Sequence, residues 1–200
     1  MSKARVTDYY QSRYRDYFKR TVSVDPALFL TPFIRYLGKG ASVLDIGCGS
    51  GRDLLWLKDR GFKATGVERV PGLAQLARAH SGCEVIVGDF ETLDFSAFGV
   101  DAVMACGSLV HVPHGRLTGL LKRMLTALAG PGVAYISLKQ GQKTKSDQFG
   151  RVFYLWETER LERIWQDLGL TVLAFSCSQS AVNSKDDWLA YVLKYEKTHK

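Results

Sequence analysis

The chain lacks any long hydrophobic run, and this absence excludes a membrane-spanning protein. No stretch approaches the roughly 18 consecutive apolar residues that a membrane-spanning helix requires. The opening residues, MSKARVTDYY, place no apolar core behind their charges, so they do not form a secretory signal. We therefore expect a protein of the cytoplasm that makes no contact with a membrane.

Cysteine and histidine are scarce, with four of each among 200 residues. No two cysteines are spaced as a C-x-x-C pair. Only His111 and His114 lie close together in the sequence, and no cysteine cluster joins them. We therefore expect reduced thiols and no metal site.

Acidic residues are outnumbered, with 20 Asp and Glu against 27 Lys and Arg, which gives a net charge of +7. Residues 1–40 hold eight Lys or Arg and three Asp, so +5 of this surplus lies there. A basic arm is one way to bind nucleic acid. We favour two other interpretations of the charge, a solvated helix face or a cavity mouth that attracts an anionic small molecule.

The first 40 residues predict two helices. The second begins at Asp25, which serves as its N-cap ahead of Pro26. We expect residues 1–40 to form a helical cap on a domain of residues 41–200, the two making one structural unit. In the first helix, aromatic residues share one face at helical spacing: Tyr10, Tyr14, Tyr17 and Phe18.

From residue 41 onward, short apolar runs alternate with helical patterns. This alternation indicates a parallel sheet covered by helices on both faces, which is a three-layer α/β fold. Ligands of such sheets bind outside the carboxyl ends of the strands. The predicted strands are 42–46, 63–67, 84–87, 100–105, 133–138, 170–176 and 188–195, and the predicted helices are 52–60, 72–80, 117–128 (closed by Gly130-Pro131-Gly132) and 157–168.

The run VLDIGCGSGRD joins the first predicted strand to the next helix. Its glycines, Gly47, Gly49 and Gly51, let a bound group approach the backbone closely. Arg52 stands where the third glycine of a dinucleotide fingerprint would fall, and Asp45 would repel a pyrophosphate. The loop therefore argues against a nicotinamide-dependent dehydrogenase and fits a ligand that carries positive charge or hydroxyls.

Carboxylates also follow the next two predicted strands. Glu68 is placed to accept both hydroxyls of a ribose. Asp89 is placed to accept a hydrogen bond from an exocyclic amine, while Phe90 covers the face of a purine. Together these residues describe a ligand with an adenine, a free ribose and a cationic tail without phosphates, and S-adenosylmethionine meets that description.

VLDIGCGSG resembles the first motif of the class I S-adenosylmethionine-dependent methyltransferases. The pairing of GSGRD with ACGSLVHVP and SLKQG is similar to a group of small bacterial methyltransferases whose substrates are mostly unassigned. The resemblance implies a mostly parallel, seven-stranded Rossmann-like sheet whose last strand, residues 188–195, is antiparallel. It also implies S-adenosylmethionine as cofactor, S-adenosylhomocysteine as product, and in-line transfer of a methyl group to an oxygen, nitrogen or sulfur atom of a small molecule.

The same resemblance implies roles for individual residues. The motif from Asp45 to Gly51 would hold the methionine part of the cofactor, and the segment from Cys106 to Ser108 would lie near the sulfonium. Arg69 and the residues after it differ from the small polar residue that often follows the ribose-binding acid. The implied cofactor-binding residues are Asp45, Gly47, Cys48, Gly49, Gly51, Arg52, Glu68, Arg69, Asp89, Phe90, Cys106, Gly107 and Ser108.

His111 is the candidate catalytic base, because it follows the fourth strand and its ordinary pKa near 6.5 suits proton removal. A role in packing beside the cofactor, or in capping the next helix, is an equal alternative, and His114 is a weaker candidate. Lys139 is a candidate for steering an anionic substrate. The other candidates for a lid or substrate pocket are Tyr10, Tyr14, Tyr17, Arg151, Tyr154 and Trp156.

Two other functions remain open. The segment ACGSLVHVP stands where methyltransferases of exocyclic base amines carry an Asn/Asp-Pro-Pro-aromatic motif, and it has no Pro-Cys pair for attack on cytosine. Methylation of RNA at oxygen or ring nitrogen is supported only by the basic first 40 residues. A non-catalytic cofactor-binding subunit is the second alternative. We expect a monomer or a homodimer, in which an exposed last strand could pair between chains.

Overall fold

A sheet of seven strands forms the middle layer of the protein. The computed structural model describes residues 3–180 and 186–196, with side chains from Tyr9 onward. The helices are α1 (Lys3–Thr21), α2 (Ala27–Ile34), α3 (Arg52–Lys58), α4 (Pro71–Ser81), α5 (His114–Met124) and α6 (Thr158–Asp167). The strands are β1 (Ser42–Ile46), β2 (Lys63–Glu68), β3 (Glu84–Val87), β4 (Val100–Cys106), β5 (Leu128–Lys139), β6 (Thr144–Ser146), β7 (Val152–Tyr154), β8 (Leu170–Gln179) and β9 (Asp187–Tyr195).

The strand order of this sheet is β3-β2-β1-β4-β5-β9-β8. Strands β1 to β5 pair in parallel, whereas β9 is antiparallel to both β5 and β8. This confirms the predicted three-layer α/β fold with an antiparallel last strand. The chain order reverses between β1 and β4, and their carboxyl ends diverge there to open a crevice. The expectation that the last strand is exposed is wrong, because β9 lies inside the sheet and β8 forms the edge.

Apolar side chains pack on both faces of the sheet. Successive residues of a strand point to opposite faces, so Leu44 joins the cluster with α5 and α6 while Val43 joins the cluster with α2 and α3. The ring of Phe33 in α2 lies 5.7 Å from the ring of Tyr135 in β5. Of the two N-terminal helices, α2 therefore packs against the sheet, and α1 is the helix that lies at the crevice.

The boundary between α5 and β5 differs from the prediction. Helix α5 ends at Met124, a 3-10 turn follows, and β5 begins already at Leu128. Gly130-Pro131-Gly132 therefore lies inside a strand and does not close a helix. The strand tolerates these residues because 129–132 stand opposite Asp101 alone, in an irregularity between two paired positions, and such a bulge needs no ladder hydrogen bond from proline.

The loop between β5 and α6 carries a small hairpin that the sequence pattern did not predict. Strands β6 and β7 pair antiparallel, with Thr144 opposite Tyr154 and Ser146 opposite Val152. The hairpin brings residues 147–154 up to α1, as the contacts described below show. Within the described residues, no helix is both long and apolar enough to cross a lipid bilayer.

Candidate active site

The carboxyl ends of β1, β2 and β4 open into a cavity of about 210 Å³. This is the crevice at which the strand order reverses, where open α/β sheets bind their ligands. Helix α1 covers one side of it, and the β6–β7 hairpin covers another. The predicted site residues that line the cavity are Tyr10, Tyr17, Gly47, Gly49, Glu68, Arg69, Phe90, Cys106, Gly107, Ser108, His111 and Tyr154.

The glycine loop after β1 leaves no room for side chains. Gly47 has φ +79°, and a Cβ there would overlap the Cβ of Ser108. Gly49 has φ +56°, and its Cβ would lie 3.2 Å from the ring of Tyr17. The amides of Gly47 and Cys48 both donate to the carbonyl of Val67 (2.8 and 3.0 Å). The loop is thus tied to β2 and presents bare backbone to the cavity.

Glu68 ends β2 with its carboxylate aimed by the backbone. The amide of Val70 donates to Oε1 (2.9 Å), and the amide of Gly49 donates to Oε2 (3.1 Å). Burial raises the pKa of Glu68, and these two hydrogen bonds oppose the rise. The amide of Arg69 acts in the same direction as these two bonds, and the carboxylate borders the cavity, where a bound ligand is able to donate to it.

The segment after β4 forms the wall opposite Glu68. The amide of Gly107 donates to the hydroxyl of Ser137 (2.9 Å), and the hydroxyl of Ser108 donates to the carbonyl of Ile46. Burial raises the pKa of the Cys106 thiol, and it does the same for Cys48. Both thiols are therefore protonated at neutral pH, and neither is an activated nucleophile.

His111 lies at the cavity wall within a chain of hydrogen bonds. Its Nδ1 is 2.6 Å from the carbonyl of Val152, and its Nε2 is 3.1 Å from the hydroxyl of Tyr10. Burial, followed by the cations Arg151 and Lys139 among other neighbours, lowers the pKa of His111 to about 4, although its bond to Val152 acts in the opposite direction. The imidazole is therefore neutral at pH 7, and it is a weaker base than the ordinary pKa near 6.5 led the sequence analysis to expect.

His114 has a structural environment instead. It begins α5, and its Nε2 lies 2.8 Å from the carbonyl of Leu155. The imidazole packs edge-on against Trp156, with 4.6 Å between ring centroids. His114 is not among the described residues that line the cavity. Its position at the start of α5 is the one that made it the weaker candidate.

Other predicted residues support the site from outside the described cavity wall. Arg52 pairs with Asp53 through two bonds of 2.6 and 2.9 Å. The ring of Tyr14 packs against Gly72 at the start of α4. Asp89 accepts the amide of Glu91 (2.9 Å). Gly51 and Cys48 complete this group, since they pack against α4 and β2 respectively.

Lys139 and Trp156 also lie away from the described cavity wall. The ammonium of Lys139 pairs with Asp186 at 2.6 Å and sits 4.2 Å from the ring centroid of Phe153. Trp156 is only 1% exposed and belongs to the main core cluster. The charge of Lys139 is thus already compensated, and Trp156 supports the hairpin from below.

Sequence reasoning missed several residues of the wall. Some adjoin predicted motifs, and a wider window around those motifs would have included them. Arg116 lies on α5, where it pairs with Glu91 at 2.7 Å. Gly150 and Val152 of the hairpin had no recognisable signal in the sequence. The missed residues are Val70, Leu73, Glu91, Val112, Pro113, Arg116, Gly150 and Val152.

The comparisons with known proteins agree with this geometry. A family model described as a methyltransferase domain matches residues 43–132. The sterol 4-C-methyltransferase strm-1 of Caenorhabditis elegans is 28% identical over 121 residues, which are 56% of this chain. The matched domain, this relative and the fold together support a class I S-adenosylmethionine-dependent methyltransferase. The match spans about a third of the curated relative, 36% of its length.

Solved structures of methyltransferases share the fold. The 1,6-didemethyltoxoflavin-N1-methyltransferase of Burkholderia thailandensis, solved with 1,6-didemethyltoxoflavin and S-adenosylhomocysteine, has a TM-score of 0.78 and 21% identity, covering 97% of this chain and 88% of its own. The magnesium protoporphyrin IX methyltransferase of Synechocystis PCC 6803, with bound S-adenosylhomocysteine, has a TM-score of 0.73 and 15% identity, covering 96% and 99%. Because these identities are below 25%, the similarity to these structures shows a shared fold and no more.

Solved structures that share this fold hold S-adenosylhomocysteine, and the residues of the cavity fit S-adenosylmethionine as the cofactor. Asp45 is 1% exposed, and its Oδ2 has no hydrogen-bond partner among the described residues. Burial, the negative Asp53 and the negative Glu68 raise its pKa, against the opposing effect of Arg52. A buried carboxylate beneath a glycine loop is stabilised by a cationic ligand. Among the described residues, no group of three or more His, Cys, Asp or Glu is arranged to hold a metal ion.

Proposed function

We propose that this methyltransferase moves a methyl group from S-adenosylmethionine to an oxygen, nitrogen or sulfur atom of a small molecule. The observation that carries the proposal is the carboxylate of Glu68, held at the cavity by the amides of Gly49 and Val70. A carboxylate at the tip of β2 that faces the cavity is placed to accept hydrogen bonds from the hydroxyls of a ribose. A phosphate would be repelled by this carboxylate, and the bare glycine loop offers a metal ion no side-chain ligands.

The protein contributes alignment and exclusion of water to this reaction. When bound, S-adenosylmethionine supplies a methyl group on a sulfonium, a neutral leaving group once the methyl departs. The backbone at Gly47, Gly49 and Gly107 would then fix the reacting end, while Tyr10 and Tyr17 cover it from α1. Alignment of this kind is able to supply on the order of 7–11 kcal/mol of the barrier.

Three arginines of the N-terminal helix contact side chains of the protein itself, which gives part of the basic segment a role that does not require RNA. Arg13 lies 4.6 Å from the ring centroid of Phe149, Arg15 donates to the hydroxyl of Tyr14, and Arg20 donates to a second tyrosine hydroxyl at 3.3 Å. These three cations therefore already have partners within the protein. The B. thailandensis neighbour was solved with 1,6-didemethyltoxoflavin, which favours a small-molecule acceptor.

Two arginines at the cavity wall would meet an anionic acceptor, namely Arg69 and Arg116. Each also pairs with a carboxylate, Asp89 at 3.9 Å and Glu91 at 2.7 Å respectively, so the wall supports an anionic acceptor only weakly. The four cysteines are free thiols, which suits action in the reducing cytoplasm.

Binding of S-adenosylhomocysteine, measured by calorimetry, tests the cofactor site. Wild type is expected to bind, and Glu68→Ala is expected to lose roughly 100-fold or more in affinity, because two charge-assisted hydrogen bonds of about 1.5–3 kcal/mol each disappear. Glu68→Gln keeps the shape of the side chain and should lose less. Glu84→Gln, an exposed acid at the far end of β3, is the matched control and should bind as wild type does. Absence of binding to wild type would contradict the proposal.

A panel of acceptors tests the reaction itself. Transfer of an isotopically labelled methyl group is measured to thiols, phenols, amines, carboxylates and total RNA. Transfer to a small molecule supports the proposal. Transfer confined to RNA, with binding that weakens steeply with salt, supports the RNA alternative. Binding of S-adenosylhomocysteine without transfer to any of these supports the non-catalytic subunit.

A further inference from the structure

The β6–β7 hairpin contacts α1 through Phe149, whose ring lies 5.2 Å from that of Tyr9, and through Arg151. Arg151 is held from behind by Asp147, whose Oδ2 accepts its Nε at 2.7 Å and whose Oδ1 accepts its backbone amide at 3.0 Å. Its guanidinium carbon lies 4.1 Å from the ring centroid of Tyr9, and its Nη1 donates to the hydroxyl of Tyr10 at 3.2 Å. The hairpin therefore places a fixed cation next to Tyr10.

The chemistry of the partners sets the direction of the hydrogen bonds that follow. A carbonyl only accepts, so Nδ1 of His111 must carry the hydrogen that it shares with Val152. In the neutral ring, Nε2 is then the acceptor, and it takes the hydrogen of the Tyr10 hydroxyl. Arg151 has no acceptor atom, so it occupies one lone pair of the Tyr10 oxygen. Every bond in the chain runs the same way, from Arg151 through Tyr10 and His111 to Val152.

One lone pair of the Tyr10 oxygen remains, and Tyr10 lines the cavity together with His111. The imidazole acceptor atom is already covered by the tyrosine hydroxyl. A proton that leaves a molecule in the cavity therefore meets the oxygen of Tyr10 before it meets the nitrogen of His111.

We propose that Tyr10 receives the proton of the methyl acceptor and passes its own to His111, and that Arg151 is the positioning residue that holds this chain in one direction. This inference rests on the proposed function and narrows its substrate class. The acceptor atom carries a hydrogen when it binds, as in a hydroxyl or a ring N–H, so carboxylates and thiolates are disfavoured.

The step balances in atoms and charge. A lone pair of the acceptor atom forms the new bond to the methyl carbon, and the departing sulfur keeps the electron pair of the bond that breaks. The acceptor's proton moves to the oxygen of Tyr10, whose own hydrogen moves to Nε2 of His111. One positive charge disappears from sulfur as one appears on the imidazole, so the net charge of the site is unchanged. The imidazolium then loses its proton to solvent.

The charged groups around His111 come from several elements. Arg151 belongs to the hairpin, Lys139 to the end of β5, and Arg69 to the loop after β2, and all three disfavour an imidazolium in the resting protein. Removal of Arg151 takes away the cation that also directs Tyr10. We therefore expect that this removal makes the imidazole easier to protonate.

Nuclear magnetic resonance of ¹³C,¹⁵N-histidine-labelled full-length protein tests the chain without any cofactor or substrate. The signals of His111 are assigned by their loss in His111→Gln. Wild type should show the Nδ1–H tautomer at neutral pH. Tyr10→Phe and Arg151→Met should each raise the titration midpoint of His111 by roughly one pH unit. Lys145→Met, which removes a cation of the same hairpin that pairs with Asp186, should leave it unchanged.

An Nε2–H tautomer in wild type would overturn the proposal, as would an unchanged midpoint in folded Arg151→Met. Circular dichroism checks that the variants fold. If Arg151→Met does not fold, Arg151→Lys keeps the charge but lacks the planar fork that reaches both Asp147 and Tyr10. It should shift the midpoint in the same direction by a smaller amount, and an unshifted midpoint would equally overturn the proposal.

Kinetics with an acceptor from the panel test the catalytic part. Tyr10→Phe should lower kcat on the order of 100-fold, with a far smaller change in affinity for S-adenosylhomocysteine. Arg151→Lys should recover part of the kcat lost in Arg151→Met. An undiminished kcat in Tyr10→Phe would overturn the proton-receiving role. Failure of wild type to bind S-adenosylhomocysteine would overturn the proposed function, whereas the resonance experiment reports on the hydrogen-bond chain independently of it.

Discussion

At the scale of single residues, a glycine is required either by a left-handed backbone or by a lack of room for a side chain, and Gly47 and Gly61 allow the two effects to be compared. Both have a left-handed backbone, with φ +79° and +82°. A Cβ on Gly47 would overlap Ser108, whereas a Cβ on Gly61 has nothing within 4 Å. A side chain at either position would strain the backbone, but only at position 47 would it also displace the wall of the cavity.

Replacement of each glycine by alanine should separate strain from crowding. Gly61→Ala is expected to lower the free energy of unfolding by about 1–2 kcal/mol through backbone strain and to leave S-adenosylhomocysteine affinity unchanged. Gly47→Ala carries the same strain and also pushes the loop against β4, so its affinity should fall by roughly tenfold or more. Urea denaturation and calorimetry measure the two quantities. Equal affinities in the two variants would contradict this account.

At the scale of secondary-structure elements, strand β5 contains Gly130-Pro131-Gly132, a sequence that normally indicates a turn. Its residues 129–132 bulge opposite Asp101 and then rejoin the ladder at Val133. A Cβ on Gly132 would lie 2.7 Å from the carbonyl oxygen of Asp101, while a Cβ on Gly130 would have nothing within 4 Å. The close approach of two backbones therefore requires glycine at 132 and not at 130.

Gly132→Ala should lower the free energy of unfolding by about 1–3 kcal/mol, since the crowded backbone must shift. Gly130→Ala should stay within about 0.5 kcal/mol of wild type. Urea denaturation at neutral pH compares the two. A Gly130→Ala protein as unstable as Gly132→Ala would show that the bulge itself, and not the approach to Asp101, demands glycine.

At the scale of the whole molecule, the burial of His111 couples stability to pH. The folded state lowers the pKa of His111 from 6.5 to about 4, chiefly through burial. Between these two values the unfolded chain binds a proton that the folded protein does not bind. The free energy of unfolding therefore decreases as the pH falls through this window.

The difference between wild type and His111→Gln isolates this effect. Relative to the variant, wild type should lose on the order of 3 kcal/mol of unfolding free energy between pH 6.5 and pH 4. Above pH 7 the difference should not vary with pH, because the imidazole is neutral in both states. Urea denaturation at a series of pH values measures the two curves, and parallel curves throughout would contradict a buried neutral imidazole.

Much of the framework could be read from local patterns. The bounds of β1 and β3 agree with the prediction, and β2 differs by one residue, because period and turn chemistry are properties of neighbouring residues. The glycine loop and Glu68 were identified for the same reason: strand, loop and acid follow one another along the chain. The α5–β5 boundary was wrong because an apolar run and a Gly-Pro-Gly signal do not reveal a bulge.

The sequence by itself thus determined the alternation of strands and helices, and it predicted the glycine loop and the acid that line the cavity. Only the tertiary structure decided which distant residues meet. Tyr10 forms hydrogen bonds with His111, 101 positions away, and with Arg151, 141 positions away. Lys139, which was predicted to steer a substrate, pairs with Asp186. These contacts depend on the order of the strands in the sheet and on where the hairpin lies, and no local period along the chain encodes either.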